Sequence, residues 1–162
     1  MRTFLINLDK STERLASARF QLERNSIPFE RVSAVMGAAL DKRERMEKYD
    51  SIRALLANGK PLRDGEIGCS LSHCLVYKKM VEEGIDVALI LEDDIVLGKE
   101  FADVVKAVGS WIDPRRKQVV LISAHGVERR QPGIYPIMGG MCTDAYVITR
   151  LAAEAIYKSN YR

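Results

Sequence analysis

Three consecutive carboxylates, Glu92, Asp93 and Asp94, follow directly on an aliphatic run at 87–91 within the stretch VALILEDDIVL. A short, mostly branched and aliphatic segment of this kind reads as a strand buried on both faces. Ligands of open α/β sheets bind beyond the carboxyl ends of such strands. Adjacent anions repel one another, and near a buried strand end that repulsion is poorly screened. A hard divalent cation such as Mg²⁺ or Mn²⁺ relieves it, and these ions are held by one or two carboxylates together with phosphate oxygens. A solvated acidic turn is the plainer reading of three acids alone. The buried strand ahead of them is what favours the ion.

The other residues suited to chemistry sit around this stretch. A helix is predicted from about residue 65 to 83, capped by Asp64 and stopped by Gly84. Ile67, Leu71, Cys74 and Val81 line one side of it, while Glu66, Cys69 and His73 project from the other. Cys69 and His73 are spaced to share a metal on one helix face, although a buried thiol and a satisfied core histidine are the plainer readings. His125 lies just past a predicted strand at 118–123, where a site residue would be placed. Cys69, Cys74 and Cys142 are odd in number and lack paired zinc-site spacing, so reduced thiols are expected.

The elements that must position these groups follow from periodicity. TFLINL at 3–8 predicts a strand, residues 11–25 a helix with Leu15, Ala18 and Leu22 inward, and residues 29–35 a second strand. A right-handed crossover with parallel pairing is expected of that unit, which is like a nucleotide-binding half. It contains no GxGxxG or Walker glycine pattern. Residues 41–58 predict one or two surface helices with an apolar stripe of Met46, Tyr49, Ile52 and Leu55 or Leu56. Phe101, Val104, Val105 and Val108 mark another amphipathic helix, broken at Asp113 and Pro114. A long glycine-rich loop is expected over 124–140, then a strand at 141–149 and a short helix from 150 to about 159.

With 162 residues and 47% hydrophobic side chains the chain can bury one core, and one domain is expected. A net charge of +3 is too small for dedicated nucleic-acid binding. The basic groups at Lys42, Arg43 and Arg45, at 115–117, and at Arg129 and Arg130 suit an anionic ligand or membrane surface. No run reaches the roughly 18 apolar residues of a membrane span, and residues 1–8 are too short for a signal peptide. A cytoplasmic protein, peripheral at the inner face of the membrane, is the expectation.

In this order, FLINLDKSTERL, GEIGCSLSHCLVYKKMVEEG, ALILEDDIVL and CTDAYVITRLAAEAI resemble glycosyltransferase family 25, the group of bacterial lipooligosaccharide and collagen galactosyltransferases. The resemblance runs from about residue 3 to residue 158, and its specific part is the GEIGCxLSH helix leading to a strand that ends in EDD. It implies a single GT-A-like, Rossmann-like α/β domain over 1–162, with a mostly parallel sheet flanked by helices and without the carboxyl-terminal section of longer relatives. It also implies Mn²⁺ or Mg²⁺ as cofactor, held against a UDP-sugar by Asp94 and Glu92, with Glu92 or Asp93 near the ribose or a metal-bound water. Asn7, Leu8 and Arg14 match the opening motif beside the nucleotide, and Ser72 and His73 match the pocket-shaping second block. Glycosyl transfer needs the leaving diphosphate neutralised and an acceptor hydroxyl deprotonated. Asp144 is the candidate base by position, followed by His125 and Glu66. The function so implied is hexose transfer, of galactose or glucose, to a saccharide or glycolipid acceptor of lipopolysaccharide or another glycoconjugate. The alternative is a truncated relative that binds nucleotide sugar or a partner without turnover.

Overall fold

The computed structural model describes residues 1–50, 52, 55–56, 59–122, 133–135 and 144–160. In chain order the elements are β1 (Arg2–Asn7), α1 (Thr12–Arg24), β2 (Glu30–Ser33), a single 3₁₀ turn (Gly37–Ala39) and α2 (Lys42–Lys48). They continue with α3 (Asp64–Glu82), β3 (Val87–Glu92), α4 (Phe101–Trp111), β4 (Val119–Leu121), β5 (Ala145–Thr149) and α5 (Arg150–Asn160).

The strands form one five-stranded sheet in the order β2-β1-β3-β5-β4. β1 pairs in parallel with both β2 and β3, Phe4 lying opposite Glu30 on one side and Ile90 on the other. β5 is antiparallel to β3 and to β4, so β5 alone runs against the other strands. The sheet is therefore mixed, with a parallel half built from β2, β1 and β3. This arrangement brings the carboxyl ends of β1, β2 and β3 and the amino end of β5 to one edge, the edge where α/β sheets bind ligands.

β1, β3 and β5 are nearly continuous apolar runs because both faces of the sheet are covered. Phe4, Ile6, Ala88, Ile90, Tyr146 and Ile148 pack on one face against Cys74, Tyr77 and Met80 of α3 and Ala152 and Ala153 of α5. Leu5, Leu89, Leu91 and Val147 pack on the opposite face against Ala18 and Leu22 of α1 and Phe101 and Val108 of α4. Each large side chain so buried contributes about 1.5–3 kcal/mol. Among the described residues no helix is long and apolar enough to cross a membrane.

Several expectations change in detail. Asp64 does not cap α3. Arg63 occupies the N-cap, Asp64 is the first helical residue, and its carboxylate pairs with Arg45. The first-turn Glu66 instead accepts the Arg63 backbone N–H at 2.6 Å. The division of α3 into a core side and a pocket side holds only in part: Cys69 and His73 face a cleft at the carboxyl edge of β1 and β3, but His73 is buried along with Ser72 and Cys74, and Val81 is only half-buried. The sheet, α5 and the 3₁₀ turn enclose α3 from several directions, which no single-helix pattern can anticipate. Of the expected apolar stripe of residues 41–58, Met46, Ile52 and Leu56 are uncovered at 74%, 71% and 82% exposure, while Tyr49 is half-buried and accepts the Leu62 backbone N–H at 2.7 Å. The expected 124–140 loop lies outside the described residues except for 133–135, and Cys142 falls outside them as well.

β5 and the segment ahead of β4 are joined by one buried hydroxyl. Thr149, fully buried, donates through Oγ1 to the Arg116 carbonyl at 2.8 Å and accepts from the Gln118 backbone N–H at 3.1 Å. Thr149→Val keeps the shape but leaves both backbone groups without that partner, so urea unfolding should show a loss of about 2 kcal/mol.

Candidate active site

The turn after β2 is fastened to α3 by polar and steric fit together. Ser72 Oγ accepts the Val35 backbone N–H at 2.8 Å and donates to the Gly68 carbonyl at 2.6 Å. Gly37 and Gly68 meet backbone to backbone, and a Cβ on Gly68 would lie 2.5 Å from the Val35 carbonyl oxygen. This junction forms one wall of a cleft of about 370 Å³, whose opposite side is made by the ends of β1 and β3.

Asn7, 1% exposed at the end of β1, organises the floor. Its Nδ2 donates to Asp93 Oδ2 at 2.7 Å and to the Ser11 carbonyl at 3.0 Å, while its Oδ1 accepts from Arg31 Nε at 2.8 Å. All the side-chain capacity used here is specific to an amide. Asn7→Asp would remove both donors and set a carboxylate against Asp93. Denaturant titration should show about 3 kcal/mol of lost stability.

The three acids diverge from the strand end. Glu92 turns towards α3, where its Oε1 lies 3.3 Å from His73 Nε2 and 3.8 Å from Cys69 Sγ. Asp93 turns towards Asn7 and is largely buried, with 11% of its side chain exposed, whereas Asp94 is 53% exposed. Arg14 Nη1 lies 3.3 Å from both Asp93 Oδ1 and Asp94 Oδ2, a single cationic group shared by two carboxylates. Burial, and then the charge of Glu92, raise the Asp94 carboxyl above the usual aspartate range, with Arg14 acting in the opposite direction. Two hard carboxylates that already share a cation suit Mg²⁺ or Mn²⁺. A second set, Cys69, His73 and Glu92, has its ligand atoms within 4.8 Å of one another. Its thiol and imidazole are the donors that zinc selects.

The structure thus brings Asn7, Leu8, Arg14, Ser72, His73, Glu92 and Asp93 to the cleft, with Asp94 next to them through Arg14. Ser72 is spent on fastening the wall. Glu66 is not brought in: it is exposed and occupied in the first turn of α3. Asp144 sits at the same edge, where its carbonyl accepts the Glu92 backbone N–H at 2.9 Å, but it does not line the cleft. His125 lies outside the described residues. Two residues were not singled out from the sequence: Lys10, a cation placed at the cleft by the turn after β1, and Tyr77, whose hydroxyl lies 2.7 Å from that of Tyr146. The signal for Tyr77 was its position one turn beyond His73 on the same helix face.

The family model described as "Glycosyltransferase family 25 (LPS biosynthesis protein)" matches residues 1–162. The chain belongs to glycosyltransferase family 25. Within this family, procollagen galactosyltransferase 1-B of Xenopus laevis is 35% identical over 97 residues, which is 57% of this chain and 16% of the relative. Lacto-N-neotetraose biosynthesis glycosyltransferase LgtB of Neisseria meningitidis serogroup B is 29% identical over 116 residues, 71% of this chain and 40% of the relative. Human procollagen galactosyltransferase 2 is 32% identical over 102 residues, covering 60% and 16% respectively. The matched stretches therefore span well under half the length of these family 25 relatives. The five-stranded α/β sheet with helices on both faces is consistent with a GT-A-like fold for the family.

Proposed function

We propose that this protein transfers a hexose, galactose or glucose, from a UDP-sugar to a saccharide or glycolipid acceptor of lipopolysaccharide or another glycoconjugate. The observation that carries the reading is the Asp93 and Asp94 pair, bridged by Arg14 at a cleft on the carboxyl edge of β1 and β3. The names of the relatives, two of them galactosyltransferases, support galactose as the transferred sugar.

In this reading Asp94 and Asp93 hold Mn²⁺ or Mg²⁺; Glu92, expected to share the ion with Asp94, turns instead to His73 and is left to face the ribose. The ion, when bound, neutralises the charge that builds on the departing diphosphate. The chain's own residues do the rest. Arg14, drawn off the two carboxylates, becomes a cationic donor for phosphate oxygens, and Lys10 adds a second positive charge on the same side. Asn7 fixes Asp93 so that it does not have to be ordered on binding. The wall at 35–38 excludes water from the opposite face of the donor.

The acceptor hydroxyl needs a base within hydrogen-bond reach. Asp144, beside Glu92 at the same edge of the sheet but outside the cleft lining, is our choice for that role, which requires the acceptor to lie beyond the donor at that edge. Asp144→Ala should then reduce transfer by about 10²–10⁴-fold and leave donor binding intact. Retained turnover would remove Asp144 from the mechanism.

The reading as a whole is tested by turnover across a panel of UDP-, GDP- and CMP-sugars with Mn²⁺ present, scoring both hydrolysis and transfer to saccharide acceptors. UDP-galactose or UDP-glucose should be consumed and the others left intact. Turnover confined to GDP- or CMP-sugars would overturn the donor assignment. Tight UDP-sugar binding with no turnover would favour a non-catalytic binder.

A further inference from the structure

Behind the acidic strand end runs an unbroken line of four hydrogen-bonded side chains. Glu92 Oε1 is 3.3 Å from His73 Nε2, His73 Nδ1 is 2.7 Å from the Tyr146 hydroxyl, and that hydroxyl is 2.7 Å from the hydroxyl of Tyr77. Tyr146, His73 and Tyr77 are 1%, 4% and 6% exposed. Three elements build the line: β3 supplies Glu92, β5 supplies Tyr146, and α3 supplies His73 and Tyr77 one turn apart. The rings also pack, with the His73 and Tyr146 centroids 5.5 Å apart.

The direction of every bond follows from one end. A carboxylate only accepts, so the hydrogen between Glu92 and His73 belongs to Nε2. A neutral imidazole carries one N–H, which leaves Nδ1 a bare acceptor, and the hydrogen in its 2.7 Å contact must come from Tyr146. Tyr146, having given its only hydrogen, takes one from Tyr77. The opposite assignment would set the Nε2 lone pair against a carboxylate oxygen 3.3 Å away with no hydrogen between them. Burial pushes the Tyr77 phenol up to about 12 and raises Tyr146 well above the ordinary tyrosine value, so both hydroxyls keep their hydrogens.

We propose that Tyr77, Tyr146 and His73 form a one-way chain of hydrogen-bond donors that positions the Glu92 carboxylate at the wall of the cleft. The hydrogens run from Tyr77 to Tyr146, from Tyr146 to His73 Nδ1, and from His73 Nε2 to Glu92 Oε1. His73 is then a neutral donor and not the base that deprotonates an acceptor, and the two tyrosines are positioning residues. A zinc ion on Cys69, His73 and Glu92 would demand the reverse, a lone pair on Nε2 and an Nδ1–H directed at Tyr146. The direction of the bonds stands by itself, and only the use made of Glu92 rests on the functional reading above.

The imidazole nitrogens can be read directly. The chain has two histidines, His73 and His125, so long-range proton–nitrogen correlation on the ¹⁵N-labelled protein, with His125→Gln for assignment, isolates His73. In buffer containing chelator, His73 should be a single tautomer with its hydrogen on Nε2. In Tyr146→Phe the Nδ1 resonance should move downfield as its donor is lost, and UDP-galactose binding measured with Mn²⁺ should weaken about tenfold. Tyr77→Phe should keep the tautomer with a smaller shift. An Nδ1–H tautomer, an even mixture or a doubly protonated ring in the wild-type protein would overturn the proposal. So would an Nδ1 resonance unmoved by Tyr146→Phe. Should that variant not fold, the wild-type and Tyr77→Phe spectra decide the matter. The tautomer is read without ligand, so a wild-type protein that binds no UDP-sugar would sink the functional reading and leave this chain of donors standing.

Discussion

Asp94→Ala is expected to lower sugar transfer by on the order of 10²–10³-fold while leaving the melting temperature almost unchanged. The first half follows from electrostatics, since removing one preorganised group that stabilises developing charge costs about this much. Asp94 also gives up its place beside Asp93 and Arg14, the cluster assigned to the metal. The second half follows from its exposure: its carboxylate is half in solvent, its ion pair with Arg14 is long, and surface pairs of this kind contribute about 0–1 kcal/mol. Asp93→Ala is the less discriminating variant, because Asp93 is nearly buried and hydrogen-bonded to Asn7. Loss of activity there would mix a local structural defect with a chemical one. Steady-state transfer rates and thermal unfolding of Asp94→Ala, measured side by side, separate the two contributions. Turnover within tenfold of the wild type would remove Asp94 from the reaction.

A stability loss as large as that of Asn7→Asp is expected at a position with no side chain. In Gly68→Ala the new Cβ would lie 2.5 Å from the Val35 carbonyl oxygen and 2.7 Å from the Gly37 backbone nitrogen. Neither neighbour is the end of a flexible side chain, so the helix and the turn must move apart. Overpacking of this kind costs about 3 kcal/mol, or roughly 10 °C in melting temperature for a chain of this size. Because the same junction carries residues 35–38 of the cleft, donor affinity should fall in parallel even though no polar contact has been removed. A Gly68→Ala protein with unchanged melting temperature would mean that α3 and the 3₁₀ turn are not in direct backbone contact.

Much of the scaffold was legible in the amino-acid order because its signals are local. The run at 87–91 reads as a strand buried on both faces, and β3 is buried on both faces by the helices of the two clusters. Leu15, Ala18 and Leu22 predict α1, which ends within a residue of the expected limits. What could not be read is what depends on partners distant in sequence. Nothing in CTDAYVIT says that β5 inserts antiparallel between β3 and β4, since that choice is made by pairing across the sheet. Nothing in α3 alone says that Ser72, His73 and Cys74 all become buried, because the burial is imposed by the sheet, α5 and the turn.

The site divides in the same way. Acids at the end of a buried strand were visible as a feature, and the cleft lies at that end. Their division of labour was not visible. Consecutive side chains leaving a strand point in different directions, so Glu92 meets α3 while Asp93 meets β1. Asn7 as an organising amide could only be inferred from three groups converging on it from Arg31, Ser11 and Asp93. Glu66, drawn to the pocket by its spacing from His73, is claimed first by the unpaired N–H groups of its own helix terminus.

Calorimetric titration of UDP into the protein, with Mn²⁺ and then with excess chelator, tests most directly whether the acidic end of β3 holds a cation for a nucleotide diphosphate. Binding should be measurable with Mn²⁺, fall at least tenfold with chelator, and lose its Mn²⁺ dependence in Asp94→Ala. UDP binding of equal strength in chelator and in Mn²⁺, undiminished in Asp94→Ala, would contradict the account.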